Sequence, residues 1–458
     1  MIKQLSILGY RGYSTKQKVT FSIPNNNLSG SGLTFIVGAN NSGKTTIIEC
    51  LKAFSAHSAP TFSERKRNSQ ADERVHISLI TDDGVNHEIR TVEAGGSSTY
   101  RNPKEPINIY TLQSRRYVPH EFDKSTYDRS AFTLSALLNN RGYQLEGFQY
   151  RLFTILENKV EFDKLLHKVL PKTFNWTIDQ SDSGQFFIKF TYNGLSHSGE
   201  GVGDGVWSLF TICDALYDSS PGSITLIDEP ELSIHPAYQR KLMALFNELS
   251  QDRQIIICTH SPYFINWTSI ANGASLLRTA KNINGSIDVY NLKNENKHKI
   301  KGIISDRNNP HTLGLNANEV FFLEDGIILV EGQEDVVTLR ELTSSIPLNA
   351  ELFGWGVGGA SKMDLFLSLF NNLGYSKICV VLDGDQKQNL ESLKEKYPNY
   401  KFVLLPEDDI RDKDEKASSP KTGITTSKGE LKPKHEPFFK NMINEINTYM
   451  SSNEIEPK

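Results

Sequence analysis

The sequence predicts an α/β protein built as two successive parallel-sheet units. Three observations carry this expectation. Apolar runs of strand length alternate with helical patterns before residue 113 and again after residue 321. Several of these runs stop abruptly at charged or glycine-rich turns, which is where open parallel sheets bind ligands. The 458 residues suffice for two or three domains.

Composition narrows the class. Hydrophobic residues make up 38% and charged residues 23%, as in an ordinary soluble globular protein. No apolar run approaches the roughly 18 residues that span a bilayer, and the start, "MIKQLSILGYRGY", is too polar and alternating for a signal peptide. Cys50, Cys213, Cys258 and Cys379 are scattered, which fits a reducing cytoplasm without a disulfide framework or structural zinc site. A formal net charge of −4 neither points to nucleic acid nor excludes a local basic groove.

Residues 1–113 read as strands, including "QLSILGY" and "LTFIVGAN", with one helix, "GKTTIIECLKAF". Residues 114–180 read as a helical insertion, with apolar residues at helical spacing in "FQYRLFTILENKVEFDKLLHKVL" but no sustained heptads. Residues 181–300 return to strand and helix alternation, and 291–320 are polar and suit a linker. Residues 321–458 form the second α/β unit.

"GANNSGKTT", residues 38–46, follows an apolar strand and opens a helix, as a P-loop requires. The backbone N–H groups of Gly38, Asn40, Asn41, Ser42, Gly43 and Thr46 would face the phosphates of ATP. Lys44 would supply a point charge to the β/γ oxygens, and the Thr45 hydroxyl would ligate Mg2+. "ITLIDEPELSIHP" ends a second strand in Asp228, read as holding Mg2+ through water, and Glu229, read as orienting or deprotonating the attacking water. "QIIICTHSPYFI" ends a third at His260, within reach of a γ-phosphate. Alone, each acid or histidine at a strand end is equally a solvated or structural group; together with the P-loop they read as a nucleotide site.

The second unit poses a different problem. "VVLDGDQ" ends an apolar strand in Asp383 and Asp385. Two carboxylates about 4 Å apart repel by ~4 kcal/mol at an effective dielectric of 20, so such a strand end suits a divalent cation. "ILVEGQED" offers Glu331 and, one helical turn on, Asp335, and adjacent strands would bring these beside Asp383 and Asp385 as a Mg2+ or Mn2+ site.

The order P-loop, insertion, "LIDEPE", "THSP" resembles the ABC-type ATPase heads of the SMC and overcoming-lysogenization-defect (OLD) families over residues 1–290. The pairing of E-G-x-x-D with D-x-D resembles a TOPRIM domain, and a head followed by TOPRIM is the OLD arrangement. The resemblance implies ATP bound between two protomers, capped by a signature helix within "GEGVGDGVWSLFTICDAL" (199–216). There the usual serine falls to Ser198 or is replaced by the backbone of Gly203 to Gly205. It implies a γ-phosphate-sensing role for Gln113 and a family arginine at Arg11. It implies metal-dependent cleavage of DNA, with Glu331, Asp383 and Asp385 as ligands and Asp335 as a further one. The family's second-metal Asp-x-Glu pair falls on Asp409 and Arg411, so Glu407, Asp408 or Asp412 substitutes or the second metal is weakly held. A transition-state lysine falls on Lys428 or Lys432. The insertion would dimerise or contact partners, and its Arg115, Arg116, Arg141 and Arg151 would either touch DNA or form a solvated face. The implied setting is antiphage defence, alone or with a helicase or retron nucleic acid. An ATP-driven DNA clamp or sensor without nuclease activity is the alternative; a transporter subunit leaves the second unit unexplained.

Overall fold

The computed structural model describes residues 1–25, 28–56, 58–114, 121–122, 148–198, 203–304, 315–322, 326–343, 346, 348, 350–413 and 420–452. The chain divides into two compact units, Met1–Asn291 and Leu292–Lys458.

The strands of the first unit are β1 (Ile2–Leu8), β2 (Gln17–Thr20), β3 (Leu33–Val37), β4 (His76–Thr81), β5 (Asn86–Thr91), β6 (Thr99–Asn102), β7 (Tyr110–Leu112), β8 (Glu121–Phe122), β9 (Phe174–Gln180), β10 (Phe186–Tyr192), β11 (Leu195–Ser198), β12 (Ile224–Asp228), β13 (Gln254–Cys258), β14 (Ser275–Lys281) and β15 (Ile287–Asn291). Its helices are α1 (Lys44–Ser55), α2 (Phe148–Glu157), α3 (Lys159–Leu166), α4 (Asp204–Asp218), α5 (Pro236–Leu249) and α6 (Trp267–Ala271).

A six-stranded sheet in the order β15-β14-β3-β13-β12-β7 is parallel except for its edge strand β15. Every residue of "LTFIV" and "QIIIC" is buried, which is why these strands read as unbroken apolar runs: a parallel sheet is covered on both faces. A second, antiparallel sheet has the order β2-β1-β4-β5-β6. One core joins the two. Ile36, Leu226 and Ile256 of the parallel sheet, Ile47, Leu51 and Phe54 of α1, and Leu5, Ile77 and Ile89 of the antiparallel sheet share it.

The insertion differs from the all-helical expectation. Among the described residues it holds α2 and α3 but also β8 and β9, which join an antiparallel sheet with β10 and β11 of the segment that follows, β10 pairing with β8, β9 and β11. "FNWTIDQ" carries only half an alternation, so its strand is set by pairing with β10 rather than by its own periodicity. Phe162 and Trp176 of the insertion and Phe190 of β10 pack edge-on around Phe210 of α4, at centroid distances of 5.3, 5.1 and 5.8 Å. Arg115, Arg116 and Arg141 lie outside the described residues; Arg151 is in α2.

The second unit adds α7 (Asn294–Ile304), α8 (Leu315–Glu319), α9 (Gln333–Thr343), α10 (Met363–Asn372), α11 (Lys387–Lys396) and α12 (Glu436–Ser451). The polar stretch read as a linker thus contains helices. Asn296 of α7 is buried, and its amide donates to the Ser368 carbonyl and the Asn372 side chain of α10, so polar composition here serves packing. Residues 305–314 lie outside the described set. The strands are β16 (Gly326–Leu329), β17 (Ala350–Leu352), β18 (Ile378–Leu382), β19 (Lys401–Leu404), β20 (Asp409–Arg411) and β21 (Gly423–Thr425). A fully parallel sheet has the order β17-β16-β18-β19. Its core includes Ile328 and Cys379 of the strands, Val336 and Leu339 of α9, and Phe439, Ile443 and Ile446 of α12.

No helix among the described residues is long and apolar enough to cross a membrane.

Candidate functional sites

In the first unit the P-loop turns from β3 into α1. Gly43 precedes α1 with φ +96, and a Cβ there would lie 2.5 Å from Ile287 Cδ1, so this position requires glycine. Lys44 is buried and its Nζ donates to the Gly38 and Ala39 carbonyls at 2.9 and 2.8 Å, which folds the loop around its own lysine. Burial lowers its pKa, against the pull of Cys258, Glu229, Asp228 and Glu231. Asn40, Asn41 and Thr45 are exposed. Ser42 and Thr46 are buried, and the Ser42 hydroxyl is 2.7 Å from that of Thr279 on β14. Ser42 therefore contributes to the loop through its backbone.

The parallel register places Asp228 level with Cys258, so β12 and β13 deliver their terminal residues to one edge. A cleft of about 570 Å³ is lined by Thr45, Lys52, Gln113 and Asp228 among others, bringing the phosphate-loop hydroxyl, the strand-end acid and the glutamine together. Glu229 adopts φ +46, a strained conformation for a non-glycine residue, and its N–H donates to the Cys258 carbonyl at 2.8 Å. Its carboxylate is 3.9 Å from His260 Nε2. Burial, then Lys44, lowers the His260 pKa, with Glu229 opposing, so the ring is neutral near pH 7.

Glu231 is a residue the sequence reading passed over. It accepts from Thr259 Oγ1 at 2.8 Å and from the His260 N–H at 2.5 Å, and so fixes the turn that presents His260. Its signal was present as the second glutamate of "DEPE". Gly203 caps α4 beside open space, whereas a Cβ on Gly205 would lie 2.3 Å from the Ser233 carbonyl. Gly205 thus permits close packing inside this unit. Residues 199–202 of the signature stretch lie outside the described residues. Arg11 pairs with Glu49 at 2.7 Å, and Tyr10 donates to the same carboxylate, so Arg11 is engaged on α1.

In the second unit, β16 and β18 are neighbours, and their ends meet as expected: the Asp383 N–H donates to Glu331 Oε1 at 3.3 Å. Among the described residues, one group drawn from the expected acids Glu331, Asp335, Asp383, Asp385 and Asp409 comes together. It is Asp335, Asp383 and Asp409, each offering an oxygen within 4.8 Å of the others. Asp335 opens α9 and accepts the Gly332 N–H at 2.8 Å. Asp409 starts β20 and is 2% exposed. Asp385 is carried away from the group by the tight turn Gly384–Gln386 and lies 2.6 Å from Lys421 Nζ. Glu331 touches the group through its hydrogen bond.

Asp383 tests whether these residues suit a cation. It is 8% exposed, and among the described residues no donor bonds its carboxylate. Burial, reinforced by Asp335, Glu331 and Asp409, pushes its pKa up to about 8. Burial likewise raises Asp335 to about 6 and moves Glu331 upward. Asp385 goes the other way: burial raises it, but the Lys421 and Gln386 hydrogen bonds pull it below the ordinary range. A buried carboxylate facing two others without a donor is an arrangement that a hard divalent cation with oxygen ligands satisfies.

A stability prediction follows from Asp383. Its folded value, about 8, lies above the ordinary aspartate value of 3.8, so folding favours the protonated form. The stability it contributes is present below pH ~4 and lost as pH rises through 8. Without divalent cations the second unit is expected to melt at lower temperature at pH 8 than at pH 6, with Mn2+ restoring the loss; calorimetry in chelator and in Mn2+ measures both.

None of the proposed substitutes for the second-metal acid reaches the group. Glu407 is bonded to Lys434 and His435 at 2.6 and 2.8 Å. Asp412 is bonded to Lys432 at 2.7 Å, and Asp408 is exposed. Lys428 is exposed on the turn before Gly429, its N–H donating to the Thr426 hydroxyl, and among the described residues its side chain makes no ion pair. The lysines that do meet the acids are Lys413, 2.5 Å from Asp409, and Lys421. Arg411 pairs with Glu334 at 2.7 Å. These pairings join residues far apart in sequence through a two-stranded ribbon, β20–β21, which no local pattern announces.

P-loop, strand-end acids and neutral histidine on one sheet edge define a nucleotide-hydrolysing class of site. Comparison with known proteins is consistent with it. Residues 4–188 match the family described as "AAA domain", and residues 198–266 match "AAA domain, putative AbiEii toxin, Type IV TA system". The first unit is thus an AAA-type ATPase domain, with ATP and Mg2+ as the ligands that class implies. The chain is similar to Septu protein PtuA of Bacillus thuringiensis, 25% identical over 309 residues that cover 59% of this chain and 74% of that protein. Among solved structures it is similar to the SMC head domain from Thermotoga maritima, at 15% identity and TM-score 0.39, covering 64% of this chain and 99% of that one. It is also similar to the SmcHead bound to the C-winged helix domain of ScpA, at 18% identity and TM-score 0.42, covering 65% and 99%.

Proposed function

We propose that the protein is an ATP-regulated, divalent-metal-dependent endonuclease of the OLD type, acting on DNA in antiphage defence as a homodimer or larger assembly. The observation that carries the reading is the second unit's Asp383, buried beside Asp335 and Asp409 at the end of a parallel sheet and, among the described residues, with no donor to its carboxylate. The parallel sheet with acids at its strand ends supports a TOPRIM assignment for residues 321–458. The defence setting is supported by the likeness to Septu protein PtuA and to a family described with the AbiEii toxin.

In the first unit Thr45 and Asp228 hold the nucleotide's Mg2+, Lys44 binds its β/γ oxygens, Gln113 senses the γ-phosphate and Glu229 orients or deprotonates the attacking water. His260 is neutral and accepts or donates at the γ-phosphate. The open side of Gly203 at the start of α4 faces a second protomer's nucleotide. In the second unit Asp335, Asp383 and Asp409 hold Mg2+ or Mn2+, with Glu331 orienting Asp383 through its N–H. Such a cation supplies an activated water and charge stabilisation for phosphodiester hydrolysis. Lys421, held on Asp385, replaces Lys428 as the cation beside the scissile phosphate.

One observation favours the rival reading of an ATP-driven DNA clamp that recruits or restrains a partner, such as a helicase or retron nucleic acid. Among the described lysines of residues 413–434, all but Lys428 are paired with carboxylates, which leaves the acidic group of the second unit few cations for a scissile phosphate. Supercoiled plasmid with purified protein and Mg2+ or Mn2+, with and without ATP, separates the two. Nicking or linearisation that changes with ATP in the wild type and no longer responds in Lys44→Ala is expected. Intact ATP hydrolysis with no cleavage under any condition supports the clamp.

A further inference from the structure

We propose that the second unit takes a single divalent cation, at Asp335, Asp383 and Asp409, and that the place of a second is held by the protein's own Lys421, Lys413 and Arg411. The inference rests on the metal reading given above and specifies its stoichiometry.

Paired metals in hydrolytic sites lie about 3.5–4 Å apart and share carboxylates that face both ions. Beside Asp335, Asp383 and Asp409 lies Glu331, whose carboxylate accepts the Asp383 N–H; the acids on the outer side, Asp385 and Glu334, are each already bonded to a fixed cation. Lys421 Nζ is 2.6 Å from Asp385 Oδ2 and 4.0 Å from Asp409 Oδ2, spanning two carboxylates as a bridging metal would. The Lys421 ammonium also donates to the Asp408 carbonyl at 3.3 Å, which anchors it there. Lys413 is 2.5 Å from Asp409 Oδ2 and 3.9 Å from Glu334 Oε2, and Arg411 completes the set on Glu334 Oε1 at 2.7 Å.

The inner group contrasts with this outer ring. Asp383 is 8% exposed and, among the described residues, its carboxylate accepts no hydrogen bond. It faces Asp335 and Asp409. The unit therefore supplies its own positive charge to Asp385, Glu334 and Asp409 Oδ2, and leaves the Asp383 carboxylate with one facing oxygen each of Asp335 and Asp409 for one ion. The acids that would rebuild an outer ligand set are committed elsewhere: Glu407 to Lys434 and His435, Asp412 to Lys432. Lysine and arginine keep their charge near pH 7, so the substitution is permanent, and the site loses the dependence on a second, weakly held ion.

The test is a count of bound Mn2+ on the full-length, nucleotide-free chain, read from the electron paramagnetic resonance signal of free Mn2+ during titration. One tightly bound ion per chain is expected for the wild type and for Lys421→Arg, and none for Asp383→Asn. The double variant Lys413→Met, Lys421→Met is expected to bind two, the second broadening the spectrum of the first. Two ions in the wild type overturn the inference and leave the metal reading standing. A single ion in the double variant, with wild-type circular dichroism and nucleotide binding, also overturns it. No bound ion in the wild type overturns the metal reading itself.

Discussion

Asp383→Ala is expected to lower DNA cleavage by at least ~10³-fold, the scale of losing a group that holds the charge-stabilising cation, while the rate of ATP hydrolysis stays at the wild-type value. The reason for the size is electrostatic. Asp335, Asp383 and Asp409 bring oxygens within 4.8 Å of one another. At that spacing two ionised carboxylates repel by about 3 kcal/mol at an effective dielectric of 20. The folded unit tolerates the group only with protons or a cation on it, and Asp383 is the member with no donor of its own. Removing it leaves Asp335 and Asp409 with partners in Gly332 and Lys413, so the change is expected to be local. The metal-free variant should melt no lower than the metal-free wild type, because an uncompensated buried carboxylate has been taken away. Mn2+ should no longer raise its melting temperature. For the wild type, Mn2+ at a hundred times its dissociation constant is worth about 2.7 kcal/mol of stability. Plasmid cleavage, phosphate release and melting in Mn2+ on the same two preparations measure all three.

Glu229→Gln should separate nucleotide binding from hydrolysis. The substitution keeps the shape and the backbone bond to Cys258 but removes the carboxylate beside His260. Hydrolysis is expected to fall ~10²- to 10⁴-fold, the range for a lost general base, with affinity for a fluorescent ATP analogue near the wild-type value. Lys44→Ala should instead lose the affinity. It also strips the Gly38 and Ala39 carbonyls of their donor, and a loss of ~1–3 kcal/mol in the stability of the first unit should accompany it. If ATP regulates the nuclease, the two variants trap opposite states: cleavage by Glu229→Gln should match the ATP-bound wild type, and cleavage by Lys44→Ala the nucleotide-free one.

What could be read in the sequence was what is local. "LTFIV", "ITLID", "QIIIC", "GIIL" and "ICVVL" announce themselves because a strand covered on both faces has nowhere to place a polar residue. Their abrupt ends at Gly38, Asp228, Thr259, Val330 and Asp383 mark the ligand edge for the same reason. The P-loop needs only nine consecutive residues, and the meeting of Glu331 with Asp383 follows from two neighbouring parallel strands. What escaped depends on register and on distant pairing. Asp385 follows Asp383 by two positions, yet a tight turn sends it to Lys421, thirty-six residues on. Asp409 is legible as an acid of the family pattern, but its place beside Asp335 and Asp383 depends on the ribbon β20–β21. Lys413 and Lys421 were missed because a sequence cannot tell a solvated lysine from one bonded to a distant carboxylate. The sheet of the insertion was hidden because β9 and β10 define each other.

The most direct measurement is anomalous diffraction from crystals of the full-length chain soaked in Mn2+. The account predicts a peak in each second unit between Asp335, Asp383 and Asp409, with Lys421 still on Asp385. Mn2+ bound elsewhere in that unit, or a second unit that takes none at concentrations supporting plasmid cleavage, would contradict it.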